Sequence, residues 1–215
     1  MVSSGNSSGQ SGRLIVFEGG EGVGKSTQIN LLAAHLATTR PDLKVVQSRE
    51  PGGTPAAEAL RRVALDQEFV GLAPRAEALV FAAARGDHAH NVIRPALQQG
   101  ACVVLDRYLD SSVVYQGIAR GLGEADVEGL SMWATENLVP DLVIVLDLDP
   151  RIGLSRVARP DRLEAESIEF HDAVRAGFLA RAQVNPQRYR VIDASVGVAD
   201  VAVQVAAVVD SVLDD

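Results

Sequence analysis

The amino-acid sequence predicts an α/β protein: a three-layer α/β/α sandwich on a five-stranded parallel sheet. Short β-branched runs alternate with longer stretches of helical periodicity, which is how parallel strands joined by crossover helices are written. Runs such as Asp141-Leu-Val-Ile-Val-Leu-Asp147 are apolar without alternation, so both faces of those strands must be covered. A glycine-rich turn also stands where the first strand would hand over to the first helix.

At 215 residues and 47% hydrophobic content, the chain has the material for one core of ordinary size. A formal net charge of -8 argues against a nucleic-acid partner, because gripping a phosphate backbone takes a broad basic patch. The apolar stretches are short and interrupted by charge, and the N-terminus lacks a signal-peptide pattern, so no membrane partner is expected and a cytoplasmic location is. Cys102 is the only cysteine, which rules out an intrachain disulfide, and its apolar neighbours make it a buried structural thiol.

Residues 1–12, MVSSGNSSGQSG, have almost nothing to bury and are expected to be a disordered leader to a single domain over 13–215. A first strand is predicted over 14–17. Directly after it, Gly19-Gly20-Glu21-Gly22-Val23-Gly24-Lys25-Ser26 satisfies GxxxxGK[ST] and opens through Thr27 into a helical pattern over 25–37. The chemistry asks for these residue types. Glycines let backbone N–H groups curl around an anion, the helix N-terminus adds its positive dipole end, Lys25 reaches the outer phosphates, and Ser26 is placed to ligate Mg²⁺. Ligand-free glycine turns exist, but the full pattern between strand and helix, in a chain with only two lysines, reads as a nucleotide site.

A second strand over 44–48 runs into Arg49-Glu-Pro-Gly-Gly-Thr-Pro55 and a helix over 55–66. An arginine at the C-terminal end of such a strand faces the ligand crevice; a solvated surface turn is the alternative. After a long helix over 77–98, a third strand over 101–105 ends in Asp106-Arg107-Tyr108. Asp106 has the place of a Walker B carboxylate in the Mg²⁺ shell, and Arg107 can grip a phosphate with two hydrogen bonds. A plain ion pair between these neighbours is the bland alternative. A helix over 125–137 and a strand over 142–146 precede an arginine-rich stretch from Arg151 to Glu164, broken by Pro160. As a charge cluster alone it would be a solvated helix face; in a phosphotransferase it would be a mobile segment that delivers arginines to the migrating group. A helix over 166–182, a strand over 189–192 and a helix over 198–213 complete the pattern.

From residue 14 to about 193 the chain resembles thymidylate kinases of the bacterial type. The strings that carry the resemblance are Phe17-Glu-Gly19, the P-loop, Arg49 to Pro55, Phe81-Ala-Ala-Ala-Arg85, and Asp106-Arg-Tyr-Leu-Asp-Ser-Ser-Val-Val-Tyr-Gln-Gly117. The resemblance implies the P-loop nucleoside monophosphate kinase fold, ATP with Mg²⁺ as donor, dTMP as acceptor, and a homodimer packed through helices such as the Ala/Leu-rich 77–84. Position by position it implies that Phe81 stacks on thymine, Arg85 bonds the base edge, Arg49 and Arg107 hold the dTMP phosphate, and Tyr115 packs on the deoxyribose. Ser112 and Gln116 match positions that face the base. Glu21 falls where the family has an acidic residue near the sugar 3′-hydroxyl and the phosphates, and joins Lys25 and Arg107 in the implied catalytic set.

The family's lid corresponds to about 151–166. Gly22 stands where some relatives carry an arginine, so the catalytic arginine is implied to come from the lid, with Arg156, Arg159 and Arg162 as equal candidates. Periodicity alone would make Phe81 and Tyr115 core residues. A related deoxynucleoside or monophosphate kinase is the nearest alternative. A GTPase switch is disfavoured, since neither lysine sits in an Asn-Lys-x-Asp string.

Overall fold

The computed structural model describes residues 12–214, so the predicted leader, Gly12 apart, lies outside the described residues. Strands β1 (Arg13–Glu18), β2 (Val45–Arg49), β3 (Cys102–Asp106), β4 (Leu142–Asp147) and β5 (Tyr189–Asp193) form one parallel sheet in the order β2-β3-β1-β4-β5. The helices in chain order are α1 (Lys25–Thr39), α2 (Pro55–Leu65), α3 (Pro74–His88), α4 (Arg94–Gln98), α5 (Leu109–Ser112), α6 (Glu124–Ala134), α7 (Pro150–Leu154), α8 (Ile168–Val184) and α9 (Val198–Asp214).

Successive side chains of a strand point to opposite faces, and here both faces are packed. Leu14 and Val16 of β1 join the core made with Phe81 of α3 and Val174 and Phe178 of α8. Ile15 and Phe17 join the other core, with Ile29, Leu32 and Leu36 of α1 and Val201 and Val205 of α9. Each such side chain contributes about 1.5–3 kcal/mol by leaving water, so the two cores fix the strand ends firmly. Those ends carry Glu18, Arg49 and Asp106, beside the point where the strand order switches around β1. Cys102 is buried, and burial, with Asp141 nearby, pushes its thiol up to about 12, as suits a structural residue.

All five predicted strands form within about two residues of their expected ends. Three helical regions differ from the sequence reading, the shortest being α7, where no helix was assigned. The long helix expected over 77–98 begins at Pro74, and a wide π turn at Ala89–Ile93 separates α3 from α4. Pro95 follows that turn and has no N–H to continue the α-helical ladder. Residues 109–119, assigned no element from sequence, form α5 and a second π turn, Val113–Ala119. Its two adjacent valines and Gly117 are poor helix formers; burial of Val113 and Val114 holds the turn instead.

Candidate active site

The P-loop connects β1 to α1, and α7 lies directly on its backbone. Gly22 has φ +63°, and a Cβ there would stand 2.0 Å from the Gly153 carbonyl oxygen. A Cβ on Gly153 would in turn meet the Glu21 carbonyl oxygen at 2.1 Å. Position 22 therefore has no room for a side chain. Lys25 Nζ curls back to donate to the Gly20 carbonyl at 2.8 Å and the Gly19 carbonyl at 3.3 Å. Burial and the Arg107 guanidinium press its pKa below the usual lysine value, against the pull of Asp106, Glu21 and Glu18. A cleft of about 570 Å³ runs along the loop past Thr27, with Arg49, Arg61 and Arg156 on its walls.

At the mouth of this cleft Ser26 Oγ donates to Asp106 Oδ2 at 2.8 Å. A hydroxyl and a carboxylate side by side are hard oxygen donors, and Mg²⁺ takes just such a small protein set, completing its octahedron with water and phosphate oxygens. The donor set fits that ion.

Asp106 and Arg107 do not pair with each other. Arg107 turns across the P-loop, where Nη2 donates to Glu21 Oε1 at 2.8 Å and Nη1 to the Gly19 carbonyl at 3.0 Å. Its guanidinium lies 5.2 Å from the centroid of the Tyr115 ring, and Tyr115 donates its hydroxyl to Glu21 at 2.6 Å. Burial would raise the Glu21 carboxyl, but Arg107 and Lys25 outweigh it and carry it down to about 2. Arg107 itself adopts φ 71°, a left-handed backbone that costs a non-glycine residue free energy. Buried Glu18 holds that turn: its carboxylate accepts from Tyr108 N at 2.9 Å, Ser111 N at 3.1 Å and Ser111 Oγ at 2.6 Å. Burial and neighbouring Asp110 push Glu18 up to about 7, with Arg107 and these hydrogen bonds opposing.

A second, smaller cleft of about 110 Å³ opens on the far side of Arg107, lined by Phe81, Arg85, Ser112, Tyr115 and Gln116. Phe81 and Arg85 are one helical turn apart on α3 and share a face. Four of the five N–H groups of Arg85 are engaged: Nε donates to Glu50 Oε2 at 2.7 Å, Nη1 to Ser131 Oγ at 3.0 Å, and Nη2 to Ser112 Oγ at 2.9 Å and the Tyr108 carbonyl at 3.2 Å. Phe81, 8% exposed, and Tyr115, 3% exposed, belong to the core, as periodicity predicts, and also line the cleft. Arg49 is more solvated, paired with Glu58 at 3.2 Å. The two clefts share five lining residues: Glu21, Glu50, Arg61, Arg107 and Glu164.

The three lid arginines have different surroundings. Arg156 donates to the Gly22 carbonyl at 2.9 Å and faces the larger cleft. Arg159 is exposed and lines neither cleft. Arg162 turns inward, where it is buried on Glu77 and the Ala64 carbonyl.

A P-loop cleft that shares five residues with a second polar cleft could serve several kinases. A family model described as thymidylate kinase matches residues 17–205. The chain belongs to the thymidylate kinase family. A thymidylate kinase of Leifsonia xyli subsp. xyli is 50% identical over 199 residues, covering 90% of this chain and 92% of the relative. One from Clavibacter sepedonicus is 48% identical over 187 residues, covering 85% and 87%. The crystal structure of thymidylate kinase from Ehrlichia chaffeensis superposes with a TM-score of 0.77 at 32% identity, over 92% of this chain and 98% of that one.

As a member of the thymidylate kinase family the chain is a phosphotransferase. Four residues of its clefts or their supports escaped the sequence reading: Glu18, Glu50, Arg61 and Glu77. Glu18 and Glu50 lay inside strings that had been singled out, next to Gly19 and Arg49. Glu77 precedes Phe81 by one helical turn, in phase with it and Arg85, a signal available from spacing alone. Arg61 gave no such signal; its place between the clefts, where Nη1 donates to the Pro51 carbonyl at 2.9 Å, follows only from the folded loop.

Proposed function

We propose that this chain transfers the γ-phosphoryl group of ATP to dTMP, giving dTDP and ADP for the supply of dTTP. The observation that carries the reading is the junction of the two clefts at Glu21, Arg61 and Arg107, one cleft running along the P-loop and the other lined by Phe81, Arg85 and Gln116. Donor and acceptor phosphates bound on either side would meet there.

In this reading the P-loop N–H groups from Gly19 to Thr27 hold the donor phosphates and Lys25 neutralises the outer ones. Ser26 and Asp106 would hold Mg²⁺, which would supply charge neutralisation to the donor phosphates. Phe81 stacks on thymine, Arg85 donates to its O4, Ser112 and Gln116 face the base, and Tyr115 packs on the deoxyribose. Arg49 and Arg107 orient the dTMP phosphate, with Glu21 fixing Arg107. One oxygen of that phosphate forms a bond to the γ-phosphorus as the bond to the β,γ-bridging oxygen breaks, and ADP departs with the electron pair. No general base is needed, because the second pKa of a phosphomonoester is about 6 and the nucleophile is already an anion. Arg156, the lid arginine already at the P-loop, collects the developing charge; Arg162 serves the packing of the lid, and Arg159 contributes least.

The domain runs over 13–215 with the lid at about 151–166. Two copies associate through the face of α3 and α6, where Leu79 is 58% exposed and Trp133 is 81% exposed, a pattern sedimentation velocity would test. No helix among the described residues is long and apolar enough to cross a membrane; the reading places the enzyme in the cytoplasm, with its nucleotide substrates. Steady-state turnover of dTMP, dUMP, dCMP, dAMP and thymidine with ATP tests the function. dTMP should lead, and strong turnover of thymidine with none of dTMP would overturn the reading.

A further inference from the structure

Glu77 is wholly buried, and the reaction described above leaves it without a task. Its carboxylate is ringed by donors. Gln116 Nε2 reaches Oε1 at 2.8 Å, Arg120 reaches both oxygens at 3.4 Å, and Arg162 of the lid reaches Oε2. A carboxylate engaged by two guanidinium groups acts as an acceptor, so Gln116 meets it through the NH₂ end of its amide. The two ends of an amide have nearly the same shape, and only their hydrogen-bond partners tell them apart. Glu77 supplies that distinction and turns Oε1 the other way. Gln116 is 1% exposed and lines the smaller cleft, the space beside it.

We infer that Glu77 is a specificity-determining positioning residue: by holding the Gln116 amide one way round, it makes the cleft present a carbonyl oxygen and so select an acceptor base with a ring N–H over one with a ring lone pair. The inference rests on the dTMP reading above. Thymine and uracil offer an N3–H donor beside an O4 acceptor, which match Gln116 Oε1 and the Arg85 guanidinium. Cytosine reverses both groups. Its N3 lone pair would face the carbonyl oxygen and its amino group would face the arginine, two like pairs in a desolvated cleft. The selection does not lie in Gln116 alone, since a free amide would simply rotate to suit cytosine. Arg162 on the same carboxylate also ties this arrangement to the folded lid.

The test is kcat/KM for dTMP, dUMP and dCMP at saturating ATP. In wild type dTMP should exceed dCMP by on the order of 10⁴, as expected of a site built to bond a substrate N–H. Glu77→Gln lets either end of Gln116 face residue 77 and should shrink that ratio by about tenfold or more, mainly through KM, while dUMP falls in step with dTMP. Glu77→Asp keeps a carboxylate and should hold the ratio within about threefold of wild type. Arg162→Lys should lower all three acceptors alike. A wild type that does not prefer dTMP to dCMP overturns the functional reading. A wild-type preference that survives Glu77→Gln, or an equal loss for all acceptors in that variant, overturns this inference alone. If the Glu77 variants do not fold, the Gln116 side-chain amide of ¹⁵N-labelled wild type decides: its protons should resist exchange with solvent before dTMP is added, and exchange as fast as an exposed amide overturns the inference.

Discussion

The larger cleft is built around one contiguous string, residues 21–28, with its walls added from other strands, loops and the stretch after β5, whereas the smaller cleft is assembled entirely from separate stretches of the chain. Between Gly19 and Thr27 a local chain conformation suffices to form the anion cradle. Across the junction, several polar groups of the smaller cleft are held by an acid behind them, whereas Arg49 is paired with the more exposed Glu58. Glu50 holds Arg85, Glu77 holds Gln116, Glu21 holds Arg107, and Glu18 holds the turn on which Arg107 sits. The cradle comes from φ and ψ, the other surface from ion pairs and hydrogen bonds to acidic side chains, and damage to the two should read out differently.

Removing the donor-side cation should give the largest effect. Lys25→Ala is expected to lower kcat by about 10³-fold or more with dTMP binding, measured by calorimetry, nearly unchanged. If dTMP binding falls as steeply as kcat, the separation of the clefts is broken. Arg156→Ala should lower kcat by about 10²–10³-fold, while Arg159→Ala stays within about threefold; the reverse ranking would move the catalytic role along the lid. On the acceptor side, Arg85→Ala should raise the KM for dTMP by about tenfold to hundredfold with a smaller change in kcat. Thermal stability should fall as well, because Glu50 loses its guanidinium partner while still buried.

The smallest effect concerns Glu18 and sharpens the comparison through pH. A carboxyl whose folded pKa has risen from 4.5 to about 7 binds more protons folded than unfolded, so its contribution to stability is lost as pH rises through that window. Glu18→Gln removes the dependence. Its melting temperature relative to wild type should climb between pH 4.5 and 7 and level off above. Glu21 has the opposite sign. Its pKa falls to about 2, so its stabilisation is complete above 4.5 and lost only on acidification, leaving the two windows separate. A Glu18→Gln difference that stays flat across neutral pH would contradict the burial argument.

The same contrast explains what the sequence made legible. The central strands β1, β3 and β4 were readable because a run buried on both faces is apolar almost throughout, the edge strands β2 and β5 only from short β-branched runs, and the P-loop because its geometry depends on residues next to one another. Arg85, Phe81 and Tyr115 were reached through a resemblance rather than through their own periodicity, which places them in the core. The π turn over 113–119 contradicts local propensity, and only its packing against α8 and α6 holds it. The inward turn of Arg162 was hidden for a related reason: its partner Glu77 lies 85 residues earlier in the chain. Nothing in an arginine-rich stretch tells which member faces the nucleotide and which faces the core.

The contact between Gly22 and Gly153 carries a consequence for the family's history. With α7 in its present seat, an arginine cannot be introduced at position 22, because the backbone of that helix already occupies the volume of its first carbon. An arginine at position 22 and the proposed lid arginine Arg156 would therefore not be neighbours in sequence space. Passing from one to the other would require the helix to be lifted as the P-loop gains its side chain. Positions 22 and 153 should accordingly change together among relatives, as a single inherited unit.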